Sequence, residues 1–399
     1  MNKYLPHLYI FLWLLYFQQD GTIISRIALV LLLVWSLYYY VYAISHYQLP
    51  VPLKILAVMV LGWTIYGLVP ILEGAGFTSV YIDDTMTHIQ PFTAIKDTYI
   101  SILPVFTYYV FSRKGLLEED ALKKWFVVFL AFAIYSFIVS RNDAMLKFNS
   151  DEVINNTGYL VLSLLTLIPL FWEKPVWQYV FLSVCMVFIL MGFKRGAIII
   201  GALCSVWIIY YSIKMERLKR SSSSFRRRFV RVLMIAFFVS ATIYAVQYVL
   251  ETSDFFSRRL MNTLEGDSSG RDQLYGVFYR HFINETNILT FLFGNGAFGT
   301  LRICGNYAHN DWLEIAIDYG LFFLIVYAAY WISLFVMLIK GERDSYTTMM
   351  LGIFIIIYFF KTFFSMSYNG ISPYAACAIG FALANYLSKN HNNSLPTIQ

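Results

Sequence analysis

The chain has 399 residues, of which 59% are hydrophobic, 19% aromatic and only 14% charged, and its mean hydropathy is +0.60. Soluble domains, about a quarter of whose residues are charged, are excluded. The net charge is +6, but seven basic residues crowd into KMERLKRSSSSFRRR at 214–228, so the excess reads as a membrane-orientation signal and not as affinity for nucleic acid.

Apolar runs recur from one end to the other. They predict about twelve helices, near 5–17, 23–43, 55–72, 98–111, 125–139, 157–172, 176–192, 196–213, 229–250, 312–339, 347–366 and 371–387. No small-residue cleavage site follows the first run, which is expected to be a retained helix and not a signal peptide. The implied fold class is an all-α polytopic membrane protein, a single integral domain over 1–399. Placing 214–228 in the cytoplasm puts both termini inside, with RKGLLEEDALKK (113–124) and KGERD (340–344) as further inner loops. TSVYIDDTMTHIQ (78–90), RNDAMLKFNSDEVINN (141–156) and the turn GFKRG (192–196) then face outside. So does 251–311, the longest connection, which contains a predicted helix, RDQLYGVFYRHFI (271–283), and a Gly-rich turn, FGNGAFG (293–299). A connection that long in a tight bundle usually carries function. The serines at 221–224 read as a short linker. Cys185, Cys204 and Cys377 lie in apolar runs and Cys304 alone in a loop, which argues against a disulfide framework.

Just before the run 321–339 stand His309, Asn310, Asp311, Glu314 and Asp318. Asn310 or Asp311 is a natural N-cap for the helix that follows. Asp311, Glu314 and Asp318 share one helix face, and acidic residues in the first turn suit the helix dipole. Capping does not account for Asp318, two turns deep, so the stripe is expected to line a hydrated vestibule. His309 is open to two readings, a structural hydrogen-bonder or a catalytic group. A metal site is not expected, because no paired His motif or Cys cluster accompanies these residues.

Arginine is disfavoured outside the membrane, yet Arg195, Arg258, Arg259, Arg271, Arg280 and Arg302 fall there in this topology. Salt bridges to acidic loop residues would account for most. The alternative is an anion site, since a guanidinium fork matches phosphate oxygens bidentately and keeps its charge. Lys194 and Lys361 could join it, although Lys361, near a helix end, could also snorkel.

HNDWLEIAIDYGLFF resembles the signature of the O-antigen ligase and O-antigen polymerase superfamily: His309 followed by Asn310, nine residues, then Gly320. Phe323 stands where the family carries Gly, Thr or Tyr. GFKRGA (192–197) resembles the family's Ser-Arg-Gly-Ala turn, with Lys194 in place of Ser. SSGRDQLY and FLFGNGAFG resemble its outer loop, with a Gly-Arg and a Gly-x-Gly. The three motifs span residues 190–325, the region the resemblance marks as catalytic, including the periplasmic loop 251–311. It implies a glycosyltransferase-C-like bundle in the bacterial inner membrane, with its active site on the periplasmic side. The implied activity is metal-independent glycosyl transfer, without a cofactor, from an undecaprenyl-diphosphate-linked oligosaccharide to an acceptor glycan. A chain-length regulator and a flippase are the implied partners.

By position the resemblance carries catalytic roles to Arg195, Arg271 and His309. Arginine would stabilise the diphosphate leaving group and His309 would act as base on the acceptor hydroxyl, with Glu314 as second choice or as orienter of the imidazole. Lys194, Asn310, Asp311, Asp318, Arg280 and Arg302 would complete substrate binding. The outcome would be inverting transfer by an O-antigen polymerase that joins lipid-linked repeat units. The alternative is an O-antigen ligase acting on lipid A-core. A twelve-helix transporter is a further alternative, which predicts related halves and polar groups at the midplane.

Overall fold

Each of the twelve apolar runs is helical. The computed structural model describes residues 3–18, 21–72, 78–82, 85–89, 92–148, 154–218, 225–252, 254, 257–258, 261, 270–341, 345–365, 367–368, 370 and 371–392. The serine linker 221–224, Arg259 and the Ser-Ser of SSGRDQLY lie outside the described residues.

The first helices are α1 (Leu5–Gln18), α2 (Ile23–His46) and α3 (Val51–Leu72), then α4 (Phe92–Arg113) and α5 (Glu119–Phe148). α6 (Gly158–Leu164) continues directly into a 3-10 segment, Leu165–Phe171, with Pro169 inside it. α7 (Pro175–Met191), α8 (Arg195–Leu218) and α9 (Phe225–Thr252) follow. Three short helices come from the long connection: α10 (Arg271–Ile283), α11 (Ile288–Phe293) and α12 (Gly299–Cys304). α13 (Asp311–Lys340), α14 (Tyr346–Lys361) and α15 (Pro373–Asn392) complete the chain. The stretch 78–90, expected as a plain loop, contains an antiparallel hairpin, Thr78–Ile82 against Thr85–Ile89, with Thr78 opposite Ile89 and Ile82 opposite Thr85. Alternating β-branched residues in both strands favour that pairing.

Among the described residues six helices are long and apolar enough to cross a membrane: α2, 51–68 of α3, 119–146 of α5, α8, 228–248 of α9, and α13. Four shorter apolar stretches accompany them, 5–17, 158–171, 175–191 and 346–361. Where about twelve spans are expected there are twelve helical segments, of which six among the described residues have full spanning length. Their outward faces are apolar: Ile27, Val30 and Val34 on α2 and Phe322, Ile325 and Ile332 on α13 are exposed. In water such a surface would aggregate; in lipid it is matched. The protein is a helical membrane protein.

α4 is the centre of the bundle, buried on all sides from Ile102 to Phe111, a stretch with no charged residue and no polar face. α2, α3 and α15 pack on it. α15 approaches closely because its sequence is AACAIGFALA: a Cβ at Gly380 would lie 2.6 Å from the Val105 carbonyl oxygen. Small residues at such a contact replace the hydrophobic drive that lipid removes. At the far end of α8, the fully buried Arg231 of α9 donates to Ser212 O (2.7 Å) and Trp172 O (2.8 Å) and pairs with Glu216 at 3.3 Å. That one side chain joins α8, α9 and the 3-10 segment.

Candidate active site at the mouth of α13

α13 is broken at Gly320, where φ is 76° and ψ −178°. The break frees two carbonyls of the preceding turn. Ile317 O accepts from the Asn295 backbone N–H (2.9 Å) and side-chain amide (3.1 Å), and Asp318 O accepts from Gly296 N–H (2.8 Å). The Gly-rich turn therefore lies directly on the kink, and each side needs glycine. A Cβ at Gly320 would lie 2.5 Å from Gly294 N, and one at Gly294 would lie 2.5 Å from Tyr319 N. Phe323, the departure from the family pattern, is buried against Trp63 and Tyr66.

The acidic stripe does not line a vestibule. Asp311, Glu314 and Asp318 are 0%, 0% and 1% exposed, and each carboxylate is taken up by protein donors. Asp318 accepts from the backbone N–H groups of Phe298 and Thr300, both at 3.0 Å, which caps α12. Glu314 accepts from Thr300 Oγ1 at 2.5 Å and from Ala308 N–H at 2.7 Å. It fixes the backbone one residue before His309, where an orienter of the imidazole or a base was expected. Asp311 accepts from Ser367 N–H (2.8 Å), Ser367 Oγ (2.6 Å) and Tyr327 OH (2.8 Å). These three residues, expected to bind substrate or act on it, instead hold the walls in place. The physical reason is that a buried carboxylate is tolerable only when its lone pairs are filled.

Asn310 is the N-cap, accepting from Trp312 N–H (3.0 Å) and Leu313 N–H (3.2 Å). Around it wraps the chain leaving α14. Thr362 O accepts from Asp311 N–H (2.8 Å), Phe363 O from Tyr275 OH (3.0 Å) and the Asn310 amide (3.3 Å), and Phe364 O from Arg271 Nη1 (3.0 Å). The carbonyl end of a helix suits cationic donors. α10 presents Arg271 and Tyr275, one turn apart, because its other face, Leu274, Phe278 and Phe282, packs with Ala308, Leu313 and Ile317.

Here the basic residues meet. His309 is half-buried in the left-handed region, at φ 51°, and burial, then Arg271, then Lys194 hold its imidazole below its ordinary pKa of 6.5. Lys194 and Arg195 enter from the turn before α8. A Cβ at Gly196 would lie 2.5 Å from the Phe364 ring and 2.6 Å from the Tyr159 hydroxyl. Lys361 is buried with its ammonium 5.1 Å from the centre of the Tyr159 ring and 5.2 Å from that of Tyr358. It does not snorkel. Lys194, Arg195, Arg271, His309 and Lys361 thus come from four separate segments to one mouth. Arg271 is fixed through Nη1, and its Nε and Nη2 have no protein partner among the described residues, so one edge of the fork can take a ligand.

Among the described residues Arg271, Arg280 and Arg302 form none of the expected salt bridges. All three donate to backbone carbonyls. Arg280 bonds Gly276 O within its own helix (3.0 Å), and Arg302 bonds Asn295 O and Gly296 O (3.4 Å) in the Gly-rich turn. Neither is brought to the basic mouth by these bonds. Sequence reasoning missed Tyr159, Tyr275, the turn 362–365 and Ser367, where only the polar Thr and Ser interrupting an aromatic run stand out. No protein-family model matches the chain, and no curated protein matches it.

Proposed function

We propose that the protein is a metal-independent glycosyltransferase of the O-antigen polymerase type, acting at the periplasmic face of the bacterial inner membrane on undecaprenyl-diphosphate-linked oligosaccharides. The observation that carries the reading is Arg271 beside His309: a guanidinium anchored at one nitrogen, its other donors without a partner among the described residues, next to an imidazole whose protonation its surroundings disfavour. In the reaction an acceptor hydroxyl attacks the anomeric carbon, its proton passes to the His309 imidazole, and the bond from that carbon to the diphosphate oxygen breaks. Charge then builds on the diphosphate, where Arg271, Arg195 and Lys194 oppose it. A single displacement inverts the anomeric centre. A diphosphate is already a weak base, so the leaving side needs charge stabilisation and the acceptor side needs the proton acceptor.

The test is the purified protein in liposomes with lipid-linked repeat units as the sole substrate. Growth of longer lipid-linked chains, lost in Arg271→Ala, supports the polymerase. Consumption of donor only when lipid A-core is added makes it the ligase. A donor left intact in both mixtures removes glycosyl transfer altogether.

A further inference from the structure

Lys361, the last residue of α14, is a cation that the packing of the mouth leaves unsatisfied. It is only 8% exposed, and its ammonium lies against the rings of Tyr159 and Tyr358. Among the described residues it forms neither a hydrogen bond nor an ion pair through that ammonium. Asp311 is the acid that faces it, but both Asp311 oxygens are already engaged by Ser367 and Tyr327. Two ring faces return less than a buried ammonium loses on leaving water. Three N–H donors therefore stand without an acceptor, and an anion would satisfy both the donors and the charge.

Its position selects the anion. The chain leaving α14 turns on the Lys361 carbonyl, which accepts from Phe364 N–H (3.2 Å) and Ser365 N–H (2.9 Å). At the end of that turn Phe364 O holds Arg271. The charge of Arg271 also acts on Tyr159, the ring against which Lys361 rests. One turn and one tyrosine thus join the two cations. Lys361 is the one on the bilayer side, because it ends the apolar stretch 346–361, whereas Arg271 comes from the long outer connection. We propose that Lys361, seated on Tyr159 and Tyr358, binds the lipid-side phosphate of a diphosphate whose sugar-side phosphate lies on the open edge of Arg271. The choice of a lipid-linked ligand rests on the glycosyl-transfer reading. A monophosphate can satisfy one of the two cations, and a diphosphate both.

The experiment is calorimetric titration of the full-length protein in nanodiscs with inorganic pyrophosphate and, separately, with orthophosphate. The parent protein should bind pyrophosphate at least about tenfold more tightly, at the usual worth of one charge-assisted hydrogen bond. Lys361→Met should bind the two alike, and Lys361→Arg should keep part of the preference. Without ligand, Lys361→Met should unfold at the same or a higher temperature than the parent, because it removes an unpaired buried charge. A merely structural lysine, needed to balance Asp311, would give a lower one. Undecaprenyl diphosphate added to the nanodiscs should displace pyrophosphate. An undiminished preference in Lys361→Met, a destabilised ligand-free variant, or pyrophosphate that the lipid leaves in place would each overturn the proposal, the last because it would mark a seat for soluble anions. The two readings fail separately. Normal chain growth by Lys361→Met removes the seat and leaves glycosyl transfer standing. Lys361-dependent binding that the lipid displaces, in a parent protein that grows no chains, supports the seat and removes the transfer.

Discussion

His309 sits at φ 51°, a conformation uncommon for residues other than glycine but one that histidine adopts more readily than most, and its backbone is held by Glu314 through Ala308. Burial and the positive charges of Arg271 and Lys194 disfavour its protonated form, so the neutral imidazole persists below pH 6.5 and is lost as acid passes its lowered pKa. Arg271→Gln removes one repelling charge and must move that loss to higher pH. The rate of His309 carbethoxylation, which needs neutral imidazole and is read by peptide mass spectrometry against pH, should show its acid limb shifted upward; an unmoved limb would place Arg271 too far away to matter. The sign for stability is the same: the unfolded chain binds the proton first, so this group's contribution declines as pH falls through 6.5. His309→Gln, which retains a hydrogen bond but no base, should lower turnover by about 10²–10⁴. Asp311 makes the contrasting case. Asp311→Ala leaves the buried Ser367 amide without its acceptor, a loss of about 1–3 kcal/mol for that group alone, visible in thermal unfolding of the solubilised protein. Asp311→Asn should be milder, because an amide oxygen can still accept from Ser367 N–H while the hydroxyls of Ser367 and Tyr327 turn to accept from its amino group. Equal damage from both would mean that the negative charge, facing Lys361, matters more than the bonds. The residue types of this mouth were legible in the sequence. Their division of labour was not, because the i, i+3, i+7 spacing shows which side chains share a face but not whether that face meets water or another segment.

At the scale of elements, the kink in α13 and the Gly-rich turn before it are one joint. Gly320 has a backbone conformation that only glycine adopts readily, costing another residue about 1–3 kcal/mol, and a Cβ there would also strike Leu292 O. Gly320→Ala should release the turn 293–300 from α13, and with it the Asp318 cap on α12. Limited proteolysis should then cut between 293 and 305 at a protease level that spares the parent protein. Gly294→Ala attacks the same contact from the other side, so the double variant should be little worse than either single one. Additive effects would show that the two glycines serve separate purposes. The helices themselves were plain in the sequence because each apolar run outlasts a strand. The hairpin at 78–89 and the 3-10 stretch 165–171 were not, since short β-branched or proline-bearing segments take their form from what they pack against. The glycines of FGNGAFG and DYG were visible as signals, but their meeting needs the fold: the contact joins residues far enough apart that no periodicity links them.

For the whole molecule, two basic regions lie at opposite ends of α8. Arg217, Arg226 and Arg228 gather at one end of α8 and α9, and Lys340 ends α13. Lys194, Arg195, Arg271 and His309 gather at the other end, where α10, α11 and α12 cover the mouth. The positive-inside rule weighs short loops and the flanks of spans, so it predicts the first group in the cytoplasm. Arg271 of the second group is held instead by a carbonyl just past a helix end, that of Phe364. The topology can be read directly. Cys185, Cys204 and Cys377 are buried and Cys304 is half-buried, so replacing Cys304 by serine leaves a quiet background. In that background Thr286→Cys, exposed between α10 and α11, should react with a membrane-impermeant maleimide in intact cells whose outer membrane is permeabilised. Phe225→Cys, 84% exposed at the start of α9, should react only after the inner membrane is opened. The reverse pattern would put His309 on the side where sugars are carried by soluble nucleotides, and a lipid-linked donor would lose its reason. The matching pattern would support the proposed donor, whose tail would lie in the bilayer and whose diphosphate would meet Arg271.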